Sequence, residues 1–106
     1  MMAIKSGVKI TAIFACNDLM AVGAINGCHR LGLKVPADIS VIGFDNIALS
    51  RFIEPKLTTI DQNMALLGQS ATALLIEKIE SHNTTSDEII LENTLIERNT
   101  TASVKH

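Results

Sequence analysis

Two short apolar runs rich in β-branched residues, 10–16 and 39–44, each stop on a polar pair, Asn17-Asp18 in one case and Asp45-Asn46 in the other. Few features constrain a fold more. A bounded run of 4–8 apolar residues without polar alternation suits a strand covered on both faces, the situation in a parallel sheet. A polar pair directly after such a strand lies at its C-terminal end, where open parallel sheets bind their ligands.

The stretch 19–31 has helical period, and Asn17 and Asp18 are both good N-cap residues for it. Met20, Gly23, Ala24, Gly27, Cys28 and Leu31 share one stripe, which predicts a small-residue face laid close against a sheet. Leu19, Val22 and Ile25 form a second apolar flank, so this helix is expected to be covered on more than one side, as at an interface. Gly32 is its expected stop.

Elsewhere, residues 1–7 read as the end of a helix closed by Gly7, and Val35-Pro36-Ala37-Asp38 reads as a turn. Residues 47–52 predict a short helical turn before Pro55, and 57–60 a third strand. From about Asn63, the positions Met64, Leu67, Gly68, Ala71, Leu74, Leu75 and Ile79 predict a second amphipathic helix. A polar loop over 81–86, a strand with a bend over 88–96 and a frayed tail over 101–106 complete the chain. Strands alternating with helices imply an α/β fold with a parallel sheet.

Composition narrows the function. A length of 106 residues suits one domain, and a hydrophobic share of 47% excludes a disordered chain. Charged residues make up 19%, below the roughly 25% of typical soluble domains, which predicts apolar surface for a partner to cover. The net charge of −2 lacks the basic excess that phosphate neutralisation requires, so the chain is not itself a DNA-binding module. The two cysteines, Cys16 and Cys28, do not make a disulfide framework; both read as small apolar residues inside regular elements of a reduced, cytoplasmic protein. The run 10–16 is far shorter than the ~20 residues of a membrane helix and lacks a signal-peptide cleavage site.

No enzyme motif is present. The chain lacks a dinucleotide-binding glycine fingerprint, a phosphate-binding loop of Walker type and a G-x-S-x-G nucleophile elbow. Cys16, Cys28 and His29 do not have zinc-site spacing. Asp45 is placed like a phospho-acceptor, yet the companion acids and lysine of that chemistry are missing. No cofactor or metal is expected.

Binding fits the polar pairs better. A carboxylate at a strand end accepts hydrogen bonds from neighbouring hydroxyls of a polyol, each contributing about 1.5–3 kcal/mol, and an asparagine beside it both donates and accepts. Position alone favours the alternative, in which Asn17 or Asp18 caps the following helix and Asp45 caps its turn. For the first pair the roles can be divided, one residue capping and the other binding.

Taken in order, Thr11-Ala12-Ile13-Phe14-Ala15-Cys16-Asn17-Asp18-Leu19-Met20-Ala21-Val22-Gly23-Ala24, then 32–46 with its Val35-Pro36-Ala37-Asp38-Ile39-Ser40 and Gly43-Phe44-Asp45-Asn46, then 55–62 and 95–101, the chain resembles LacI/GalR-family transcriptional regulators. The resemblance implies the C-terminal lobe of a type I periplasmic-binding-protein-like domain, incomplete, with the DNA-binding headpiece and N-terminal lobe outside residues 1–106. It implies that Asn17 and Asp45 reach a sugar or nucleoside-like effector. Gln62 would sit at a lobe-crossing segment, and Met64 would line the cleft where an aromatic is common. It assigns the helix 19–31 and the segment 47–53 to a homodimer interface, with Leu19, Val22, Ile25, Ile47, Phe52 and Ile53 as its apolar residues. Operator DNA would be met only through the missing headpiece. A periplasmic sugar-binding transport protein shares the fold; the Val35–Ser40 wording and Ile96-Glu97-Arg98 favour the regulator. The chain by itself is expected to associate through an uncovered strand edge and helix flank.

Overall fold

In a parallel pair each strand satisfies its neighbour's backbone through evenly spaced bonds, and this chain places its first two strands that way. The computed structural model describes residues 9–82 and 90–104. Strand β1 (Ala12–Phe14) runs parallel to β2 (Ser40–Ile42) in the register Ala12↔Ser40, Ile13↔Val41, Phe14↔Ile42. Ile42 bridges Thr58 in parallel, just ahead of β3 (Thr59–Asp61), and β3 pairs with β4 (Thr94–Ile96). Helix α1 (Asp18–Arg30) joins β1 to β2 and packs against β2. A 3-10 helix (Ala48–Arg51) follows β2, and α2 (Met64–Ser81) follows β3. The Val35-Pro36 and Glu54-Pro55 bonds are cis.

The chain forms two compact units. One runs through Asp61 and resumes at Leu95; the other lies between Gln62 and Thr94. The core of the first consists of Ala15, Ala21, Ile25, Cys28, Val35, Ile39, Val41 and Leu57, with Ile13, Ala24, Leu33 and Ile53 packed against it. In the second, α2 buries none of its residues: Leu75, Ile76 and Ile79 are all exposed.

Several expectations are corrected. The run 10–16 yields a three-residue strand, with Ala12 and Phe14 exposed rather than covered on both faces. Cys16 lies in the bend after it and is exposed, while Cys28 is buried inside α1 as expected. The core-facing stripe of α1 is Asp18, Ala21, Ile25 and Cys28, one step round the helix from the predicted stripe. Small residues misplaced it, because glycine and alanine carry too little apolar weight to mark a face. Met20 and Gly23 point to solvent, and Ile25, expected on the interface flank, belongs to the core.

The predicted strand over 88–96 forms only at Thr94–Ile96; residues 90–93 are not strand, and 88–89 lie outside the described residues. The predicted helix end over 1–7 and most of the loop over 81–86 also lie outside them. The expected frayed tail is bonded in: Thr101 Oγ1 lies 3.1 Å from Thr58 Oγ1, and the amide of Ala102 donates to Ser40 Oγ at 3.1 Å. The stop at Gly32 holds, at φ +76°.

Candidate functional site

The two polar pairs stand at the C-terminal ends of neighbouring parallel strands, Asn17-Asp18 after β1 and Asp45-Asn46 after β2. Asn17 is the N-cap of α1: its extended backbone (φ −154°, ψ 171°) brings Oδ1 to within 2.8 Å of the Met20 amide, which donates to it. Its amide Nδ2 takes no partner among the described residues. Capping and a ligand contact are thus compatible in this one side chain, since they use opposite ends of the carboxamide.

Asp18 does something sequence reasoning did not foresee. Its carboxylate is 1% exposed and faces the core. Oδ2 accepts the Ile47 amide at 2.8 Å and Oδ1 accepts the Thr59 hydroxyl at 2.6 Å. A buried carboxylate is costly unless it is hydrogen-bonded, and here each of its oxygens receives one donor. The bonds tie the start of α1 to the segment after β2 and to β3. Gly43 is where it is because of this: a Cβ there would collide with Asp18 Oδ1 and stand 2.9 Å from Leu57 Cδ2.

Asp45 is half-buried, with φ +114°, and Asn46 follows at +54°. Two consecutive non-glycine residues at positive φ are unusual, and such backbone persists only where surroundings over-determine it. Here the Asp45 amide donates to Ile60 O at 2.9 Å. The Asn46 amide donates to Thr59 Oγ1 at 3.3 Å, its Nδ2 to Asp61 Oδ2 at 3.4 Å, and its Oδ1 accepts Arg98 Nη2 at 2.8 Å. Ser50, Thr59, Arg98 and Thr100 were not singled out from sequence. Thr100 is fully buried; its hydroxyl donates to Val41 O at 2.6 Å and accepts the Thr58 amide at 2.9 Å. No residue-type pattern flags the roles of Arg98 and Thr100, because their partners lie 40 or more positions away.

Gln62 and Met64 belong to the second unit. Gln62 is half-buried, and Met64 opens α2 with more than half of its surface exposed, after Asn63, whose Oδ1 accepts the Leu66 amide at 3.3 Å. Of the apolar residues assigned to an interface, Leu19 and Phe52 are exposed at 66% and 77%. Val22 and Ile47 are half-buried, and Ile53 packs against the core. Among the described residues no group of His, Cys, Asp and Glu could hold a metal ion, and no helix is long and apolar enough to cross a membrane.

Residues 2–101 match the periplasmic binding protein-like domain. An HTH-type transcriptional repressor PurR of Pectobacterium carotovorum is 50% identical over 92 residues, 87% of this chain and 27% of that protein. The chain therefore spans about a quarter of the length of the curated relatives it matches. A LacI-type transcription regulator of Bifidobacterium animalis superposes with a TM-score of 0.86 at 35% identity, over 95% of this chain and 36% of that one. A LacI family regulator of Enterococcus faecalis with bound ribose superposes at 0.84 with 40% identity, over 98% and 40%. The lac repressor dimer bound to operator does so at 0.87 with 35% identity, over 96% and 35%. The chain belongs to the periplasmic-binding-protein-like domain family, as part of a LacI/GalR-type regulator.

Proposed function

We propose that this chain is the effector-sensing and dimerising part of a DNA-binding transcriptional repressor that responds to a sugar or nucleoside-like molecule. The carrying observation is the pair of parallel strand ends bearing Asn17 and Asp45, in a chain half identical to repressors. Asp45 would accept hydroxyls of the effector, and Asn17 would donate through the Nδ2 that its cap leaves over. Gln62 and Met64, which the resemblance also assigns to the effector, lie in the second unit. Bound ribose in a relative at 40% identity supports the polyol reading.

The mechanism follows from linkage. The effector shifts the protein between two arrangements only through a difference in its affinity for them. DNA contact would come from a headpiece elsewhere in the intact protein, which works in the cytoplasm and catalyses no reaction. Exposed Leu19 and Phe52, with Val22 and Ile47 beside them, would meet a second copy. A transport protein of the same fold is disfavoured, since the relatives above are repressors and regulators.

The test is calorimetric titration of the intact protein with ribose, cellobiose and adenosine, repeated with Asp45→Ala. Loss of two hydrogen bonds to a charged acceptor predicts at least a tenfold weaker complex. Affinity unchanged by Asp45→Ala sinks the assignment. Light scattering of the chain alone at tens of micromolar is expected to show association; a clean monomer counts against the exposed interface.

A further inference from the structure

We propose that Arg98 is a positioning residue for the effector-binding turn, holding Asp45 in place through Asn46; the proposal rests on the reading of Asp45 given above. Arg98 is half-buried and has no carboxylate partner among the described residues. Its donors go to neutral oxygens on three separate segments. Nη2 donates to Asn46 Oδ1 at 2.8 Å, and Nη1 donates to Ser50 Oγ at 2.8 Å and to Leu57 O at 2.9 Å. The turn after β2, the 3-10 helix and the approach to β3 are thereby held by one planar group. Its own backbone is anchored, the Arg98 amide donating to Thr58 Oγ1 at 2.9 Å.

The weight falls on Asn46. Ser50 Oγ lies 3.1 Å from Asn46 Oδ1 but 2.6 Å from Ile47 O, and a hydroxyl has a single proton. The shorter contact claims that proton, which leaves the guanidinium as the principal donor to Asn46 Oδ1. With Arg98 in place, both ends of the Asn46 carboxamide and its backbone amide are bonded, and φ stays at +54°. Without it the side-chain oxygen loses its charged donor, and the turn that presents Asp45 at φ +114° is free to relax. A lysine cannot substitute. Its compact ammonium lacks the rigid fork that reaches three acceptors at fixed angles.

The test is a double-mutant cycle on the intact protein with ribose, cellobiose and adenosine as probes. Arg98→Lys is expected to weaken whichever probe the wild type binds by tenfold or more. The Arg98→Lys/Asp45→Ala double variant is expected to bind no worse than Asp45→Ala alone, because Arg98 acts through that carboxylate. A merely structural role would add its loss to that of Asp45→Ala. Asn46→Gly, which removes the carboxamide and tolerates positive φ, must show the same non-additive loss and carries the test if Arg98→Lys does not fold. Additive losses, or wild-type affinity in Arg98→Lys alongside a weakened Asp45→Ala, overturn the positioning role and leave the reading of Asp45 standing. A neutral Asp45→Ala, or a wild type that binds none of the three probes, overturns that reading and the positioning role with it.

Discussion

The carboxylate of Asp18 accepts the hydroxyl of Thr59 at 2.6 Å, inside the core and across 41 positions of sequence. Its other oxygen holds the Ile47 amide. Asp18→Asn replaces one acceptor with an NH2 group that must face a donor. The expected loss is about 1–3 kcal/mol, the cost of a buried group left unsatisfied. Urea denaturation measures it; a midpoint equal to wild type would show that the carboxylate carries no structural weight.

Glycine substitutions are expected to have opposite signs at two positions. At Gly43 a Cβ meets Asp18, Leu57 and Ala21, so Gly43→Ala should destabilise by about 1–3 kcal/mol through overpacking. At Gly23, inside α1, nothing lies within 4 Å of a Cβ. Gly23→Ala should stabilise by about 0.5–1 kcal/mol through helix propensity. Thermal denaturation of both variants decides the matter by sign alone.

Asn17 offers a way to separate capping from binding. Asn17→Ala removes the acceptor for the Met20 amide and should cost about 1 kcal/mol. Asn17→Asp keeps that acceptor and so should retain stability, yet it deletes the Nδ2 donor and introduces a charge. Native melting together with weakened effector binding is the expected result. Equal binding by Asn17→Asp would remove Asn17 from the ligand contacts.

The two thiols should differ in reactivity. Cys16 is exposed, whereas burial pushes the Cys28 thiol above its ordinary value. An aromatic disulfide reagent should therefore titrate Cys16 quickly and Cys28 only as the fold opens. The folded state holds the Cys28 proton more tightly than the unfolded state does. Its contribution to stability is thus complete below the unfolded thiol value of about 8.5 and declines as pH rises toward the folded one. Cys28→Ala should flatten that alkaline decline in a denaturation series, and an unchanged slope would refute the assignment.

The elements of this chain were legible in sequence where local chemistry decides them. Asn17 and Asn63 both cap helices, Gly32 ends α1, and the polar pairs do stand at the ends of neighbouring strands. Reading failed where the deciding partner is remote. Asp18 looked like a second capping residue, and only the arrival of Ile47 and Thr59 turns it into a core carboxylate. Arg98 and Thr100 belong to the family-like closing segment, yet their bonding roles were not legible, because an arginine on backbone and amide oxygens has no sequence neighbour to betray it. The core face of α1 was displaced for a subtler reason. With Gly23, Ala24 and Gly27 on the helix, apolar periodicity is too weak to tell which face is turned inward.

Thr100 gives the order of biosynthesis a role. Its hydroxyl bonds Val41 and Thr58, and its carbonyl accepts the Val41 amide at 2.8 Å, so this residue closes the seam between segments made 59 and 42 residues earlier. On the ribosome, the strands and α1 emerge while that seam still lacks its last piece. The first unit can complete its packing only once residue 100 is free to reach Val41 and Thr58, whose backbone groups lack these bonds until then. Exchange protection of the Val41 and Thr58 amides that appears only when residue 100 is present is the mark such late closure would leave.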